Sequence, residues 1–149
     1  MDGDELDDEH HVARYCSFQR IINGLPSAEA FVLRKREGKM EEYLSVNWLE
    51  CFDTQDLAQA IDCVRQVFRK KGFRISSSGK FVSLQVRNVK DVVSSHSHIP
   101  AQIIHKPGKN DPSYCRVLGY TGHSSKDKLI ALKIARLAHA GDMYPGRLQ

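Results

Sequence analysis

Long apolar runs are missing from this 149-residue chain. No stretch nears the ~18 apolar residues a membrane-spanning helix needs. The opening MDGDELDDEHH is acidic, where a secretory leader begins basic and turns apolar, so a cytoplasmic setting is expected. Cysteine is sparse: Cys16, Cys51, Cys63 and Cys115 form no C-x-x-C pair, which removes zinc clips and dithiol exchange and predicts reduced structural thiols. Neither G-x-G-x-x-G nor G-x-x-x-x-G-K-S/T occurs, and no serine sits in G-x-S-x-G. Dinucleotide cradles, phosphate loops and hydrolase elbows therefore have no sequence support. Carboxylates thin out beyond residue 63, where only Asp91, Asp111, Asp127 and Asp142 remain. That scarcity disfavours two-metal nucleases and paired-carboxylate glycosidases.

What the chain has is an uneven distribution of charge. The formal net charge is +4, yet residues 1–10 hold six acids and no Lys or Arg. Residues 64–149 carry sixteen basic residues against four acidic ones. A basic half of this kind is the footprint of an acidic partner, most often nucleic acid. The first ten residues read as an acidic flexible tail able to compete for the same surface, and residues 11–149 as a single domain.

Patterning then places the elements. HVARYCSF and Tyr43-Leu-Ser-Val read as strands, with Ala28–Leu33 as a further short one and a polar turn around Asn23 and Gly24. Leu57, Ala60, Ile61, Val64, Val67 and Phe68 fall in one arc at helical spacing, which predicts an amphipathic helix from about Gln55 to Lys71, ended by Gly72. Alternation in FVSLQVR predicts a strand with Val82, Leu84 and Val86 on one face. AQIIH and YCRVLGY follow as strand neighbours, and a second helix runs from about Ser125 to Ala140. This order does not alternate regularly enough for a doubly wound parallel sheet. It predicts an α+β fold: a mixed or antiparallel sheet of four to six strands carrying two amphipathic helices on one face.

Three chemistries compete for the site. The first is phosphate binding. Arg65 and Arg69 lie one turn apart on the first helix with Lys70, Lys71 and Arg74 following, and Lys126, Lys128, Lys133 and Arg136 mark one side of the second. The turn before that second helix adds Gly122, Ser124 and Ser125, whose amides and hydroxyls suit an anion at a helix start; the serines serve equally as caps. The second chemistry uses His96, His98, His105 and His123 as candidate metal ligands or acid–base groups. The third is protein contact through Leu129 and Leu132, which interrupt the lysines of the last helix, a side without the aromatics that stack on single strands. The leading expectation is a small binding module or accessory subunit that engages nucleic acid or another polyanion through its basic C-terminal half. A histidine-dependent phosphoesterase or nuclease and a protein-interaction subunit are the alternatives. The residues do not identify a cofactor.

Overall fold

Apolar–polar alternation in HVARYC, LSVNW and KFVSLQ lays three strands side by side at the centre of the molecule. A computed structural model describes residues 2–147. Its strands are β1 (His11–Cys16), β2 (Leu44–Trp48), β3 (Lys80–Gln85), β4 (Gln102–His105), β5 (Tyr114–Leu118) and β6 (Met143–Pro145). They form one antiparallel sheet in the order β6-β3-β1-β2-β5-β4. Three helices complete an α+β fold: α1 (Leu57–Lys70), α2 (Val86–Ser94) and α3 (Ser124–Ala135).

The helices divide between the two faces of the sheet. Side chains alternate along a strand, so Val12, Val46, Val82, Leu84 and Val117 share one face, while Ala13, Ser45, Phe81 and Tyr114 share the other. On the first face α2 and α3 bury Val89, Val93, Ile130 and Ile134 in the main core. On the second, α1 packs Ala60, Ile61 and Val64 against Ala13 and Phe81. Ser45, Tyr114 and Arg116 belong to neither core cluster, so the β2–β5 half of that second face is not closed by a helix.

The expectation of two helices on one face is corrected: the described residues hold three, and α1 packs on the face opposite α2 and α3, because Ala13 and Phe81 give that second face its own apolar patch. Two further sequence expectations change. The strand read through Arg87 stops at Gln85, and α2 starts at Val86 because Val86, Val89 and Val93 recur at helical spacing and are all buried. Ala28–Phe31 is a short 3-10 turn, not a strand. For α1 the cap is Asp56, whose carboxylate accepts the Gln59 amide at 2.8 Å.

Between β1 and β2 the chain makes an excursion through two small hairpins, Ile21–Ile22 with Leu25–Pro26 and Lys35–Arg36 with Lys39–Met40. Both turns need two consecutive residues at positive φ. Asn23-Gly24 (54° and 80°) and Glu37-Gly38 (52° and 82°) supply them, as a type I′ turn requires.

Residues 2–9, read from composition as a tail, lie along the β4 edge. The Leu6 amide donates to the Ile103 carbonyl, and the Leu6 side chain is buried in the main core. The acids meet bases of the C-terminal half: Asp8 with Lys90 at 2.9 Å, Glu5 with Lys90 at 3.4 Å, Asp2 with Lys106 at 3.4 Å, and Glu9 with Arg87. Part of the +12 excess is thus neutralised inside the molecule. No helix among the described residues is long and apolar enough to cross a membrane.

Candidate functional site

β1 and β2 pair through only two residue pairs, Val12 with Trp48 and Ala13 with Asn47. Beyond them Arg14 bridges the seam: its Nη1 donates to the Ser45 carbonyl at 2.7 Å and its Nε to the Ala30 carbonyl at 2.5 Å. Burial pulls the Arg14 guanidinium below its ordinary pKa, partly offset by Tyr120, Cys16 and Glu41. Arginine stays charged even so.

A groove of about 450 Å³ opens over this seam, within the range of ligand pockets. The sheet contributes Ala13, Arg14, Tyr15, Ser45, Asn47 and Tyr114; the excursion contributes Ser17, Arg20, Arg34 and Arg36; the end of α1 and its continuation contribute Phe68, Lys71, Phe73 and Arg74. Asp111 completes the lining. Six cations therefore face one carboxylate.

That carboxylate is already engaged. Asp111 is buried and accepts from Asn47 Nδ2 at 3.1 and 3.2 Å, from the Ser113 amide at 3.1 Å and hydroxyl at 2.8 Å, and from Lys71 Nζ at 3.1 Å. Arg36 pairs with Glu41 at 3.2 Å. Arg20, Arg34 and Arg74 have no carboxylate within ion-pair distance among the described residues. Low-dielectric walls around like charges focus their field, so the groove attracts anions and repels cations.

Aromatic rings share the same surface. Phe73 is 50% exposed and stands edge-on to Phe68, with centroids 5.3 Å apart. Phe68 in turn packs on Phe81 and Tyr15. Tyr114 Oη shares a 2.8 Å hydrogen bond with Ser45 Oγ, which fixes that ring on the sheet.

The residues expected to bind phosphate are separated by the sheet. Lys71 and Arg74 line the groove, and Arg69 and Lys70 are exposed beside it. Arg65 is not available: it is 5% exposed, and its Nε and Nη2 donate to the Pro145 carbonyl at 3.0 and 2.7 Å, tying α1 to β6. Lys126, Lys128 and Lys133 sit on α3 and Arg136 is its C-cap residue, across the sheet from the groove.

The turn before α3 is filled from within. The Asp127 carboxylate accepts the Thr121 amide at 2.7 Å, the Thr121 hydroxyl at 2.8 Å and the Gly122 amide at 3.0 Å. Of the donors read as an anion seat, the Gly122 amide thus already holds an anion. His123 is the N-cap residue, and Ser124 and Ser125 lie inside the helix as exposed residues.

The four candidate histidines are dispersed. His96 follows α2, His98 is exposed in the next loop, and His123 caps α3. His105 is buried against Trp48 with Nε2 2.6 Å from the Pro112 carbonyl. Among the described residues no group of three or more His, Cys, Asp or Glu is placed to hold a metal ion. Leu129 is exposed and Leu132 half-buried on α3. Of the four free thiols, burial pushes Cys16 up to about 11 and Cys115 up to about 12, so both stay protonated at neutral pH.

Sequence reasoning did not anticipate Arg20, Arg34, Arg36, Phe73, Tyr114 or Asp111 as parts of one site. No spacing rule links them. Comparison with protein-family models, with curated proteins and with solved structures yields no match to this chain.

Proposed function

We propose that this protein is a binding module, acting as an accessory subunit in a cytoplasmic setting, that engages nucleic acid or a comparable polyanion in the groove over the β1–β2 seam. One observation carries the reading. Six cations line the groove, and the single carboxylate among them is already spent on Lys71, Asn47 and Ser113. Backbone phosphates are the abundant ligand that suits such a surface, and contacts to them are indifferent to base sequence. The seat is narrower than the whole basic C-terminal half: three of its arginines, Arg20, Arg34 and Arg36, come from the excursion between β1 and β2.

Fluorescence anisotropy with labelled oligonucleotides and with heparin as competitor, at two salt concentrations, tests the reading. Affinity falls steeply with salt and changes little with base sequence. Replacing Arg20, Arg34 and Arg74 together by Ala weakens binding by about tenfold or more, while Lys126→Ala with Lys128→Ala changes it by less than about twofold. Absence of binding at low salt, or equal losses in the two variants, overturns it.

A further inference from the structure

Across the uncovered half of the sheet, rings and cations alternate in one unbroken row. The Arg116 guanidinium lies 4.2 Å from the Tyr43 ring centroid and 5.8 Å from that of Tyr114. The Lys71 ammonium lies 5.5 Å from Tyr114 and 4.8 Å from Phe73. Tyr43, Arg116, Tyr114, Lys71 and Phe73 thus follow one another, although they come from three separate stretches of sequence. We infer that this row is a stacking path for single-stranded nucleic acid, so that the groove accepts unpaired strands and discriminates against duplex. The inference rests on the polyanion reading above and names its ligand.

A single strand repeats a flat base and a phosphate, and the row repeats a ring and a cation. Base–aromatic stacking tolerates any base because every base has a π face, whereas a duplex keeps those faces stacked inside itself. Phe73 is half exposed, and its orientation is set by Phe68 beneath it, not by its own burial. A ring held this way offers its surface to a ligand without having to reorganise. The cations are held just as firmly. Lys71 is tethered by Asp111 at 3.1 Å, whereas Arg116 is positioned by the Tyr43 and Tyr114 rings, makes no ion pair among the described residues and has its buried Nε without a hydrogen-bond partner, leaving its charge for a ligand. The one amide side chain of the lining, Asn47, has its nitrogen committed to Asp111 and Ser113. Selectivity therefore falls on strandedness and not on sequence.

The experiment uses the full chain, labelled dT and rU 15-mers, a duplex hairpin of equal phosphate number, and heparin. Wild-type protein binds the single strands more tightly than the hairpin, with dT and rU alike. Phe73→Leu, conservative at an exposed position, weakens single-strand binding by roughly fivefold to a hundredfold, the effect expected for one stacked base. Its heparin affinity falls by much less than its strand affinity, because heparin has no base to stack. Phe73→Trp restores strand binding, and strand addition quenches the new indole. Tyr114→Leu repeats the loss, and Tyr114→Phe, lacking only the hydroxyl to Ser45, retains most of the affinity. If heparin binds but hairpin and single strand bind equally, or if Phe73→Leu leaves strand binding unchanged, the stacking path is refuted while polyanion binding stands. If no probe binds at all, both fall.

Discussion

The turn before α3 and the groove over the β1–β2 seam hold the same raw materials: amides or hydroxyls, nearby cations, and one aspartate. In the turn, Asp127 takes three neutral donors to itself, so the Thr121 and Gly122 amides are no longer open to an external anion. In the groove, Asp111 takes up one lysine and leaves five arginines around the cavity. A run of basic or phosphate-friendly residues therefore signals a ligand only where the chain's own carboxylates leave its donors open. The acidic segment at the β4 edge falls on the turn's side of this contrast, since its acids meet Arg87, Lys90 and Lys106.

Removing the internal anion of the turn gives the largest expected effect. Asp127→Ala strands two amides in a partly buried turn and lowers stability by about 2–3 kcal/mol, a drop in Tm of roughly 5–10 °C by calorimetry. Added phosphate raises the Tm of this variant more than that of wild type, because the emptied donors then accept an external anion. Equal phosphate shifts in the two proteins break the comparison. The corresponding change in the groove acts in a different currency. Asp111→Asn keeps an acceptor for Ser113 but removes the negative charge, so stability falls by about 1 kcal/mol while heparin affinity rises roughly two- to fivefold. Unchanged affinity means that Asp111 does not limit the field of the groove.

The smallest effect is a pH response at the β4 edge. The hydrogen bond from Lys90 holds the Asp8 carboxyl below its usual value of 3.8, against a weaker opposing effect of desolvation. A depressed carboxyl contributes attachment that is present above its free-chain pKa and is lost as pH falls through its folded value. Amide hydrogen exchange at Leu6 and His105, corrected for intrinsic rates, accelerates below the usual carboxylate range while β1 and β3 stay protected. Uniform acceleration across the sheet instead places the acid sensitivity elsewhere.

Much of the architecture was legible because it is written locally. The arc from Leu57 to Phe68 and the alternation in KFVSLQ each fall within one element, and Asn23-Gly24 announces its own turn. Val86 misled because the strand period and the helix period agree at that residue and part only at Val89. The helices' division between two faces was not legible, since an amphipathic pattern shows that a helix has an apolar side and not which sheet face receives it. The groove was hidden for a related reason. Arg14, Arg34, Lys71, Asp111 and Tyr114 sit on four stretches that meet only through the β1–β2–β5 register. Arg65 shows the converse: its spacing from Arg69 looked like a phosphate track, but the Pro145 carbonyl of the last strand claims it.

The position of β1 has a bearing on how the protein is made. It leaves the ribosome before the other five strands of this sheet, yet it lies inside the sheet, between β2, which begins at Leu44, and β3, which begins at Lys80. One apolar face, with Val46, Val82, Leu84 and Val117, waits for Ile130 and Ile134 of α3, which are synthesised after five of the six strands of the sheet. A nascent chain of this topology exposes sticky surface until α3 is made and is a natural client for chaperones. Premature stops upstream of α3 should accordingly yield insoluble fragments, not smaller folded domains.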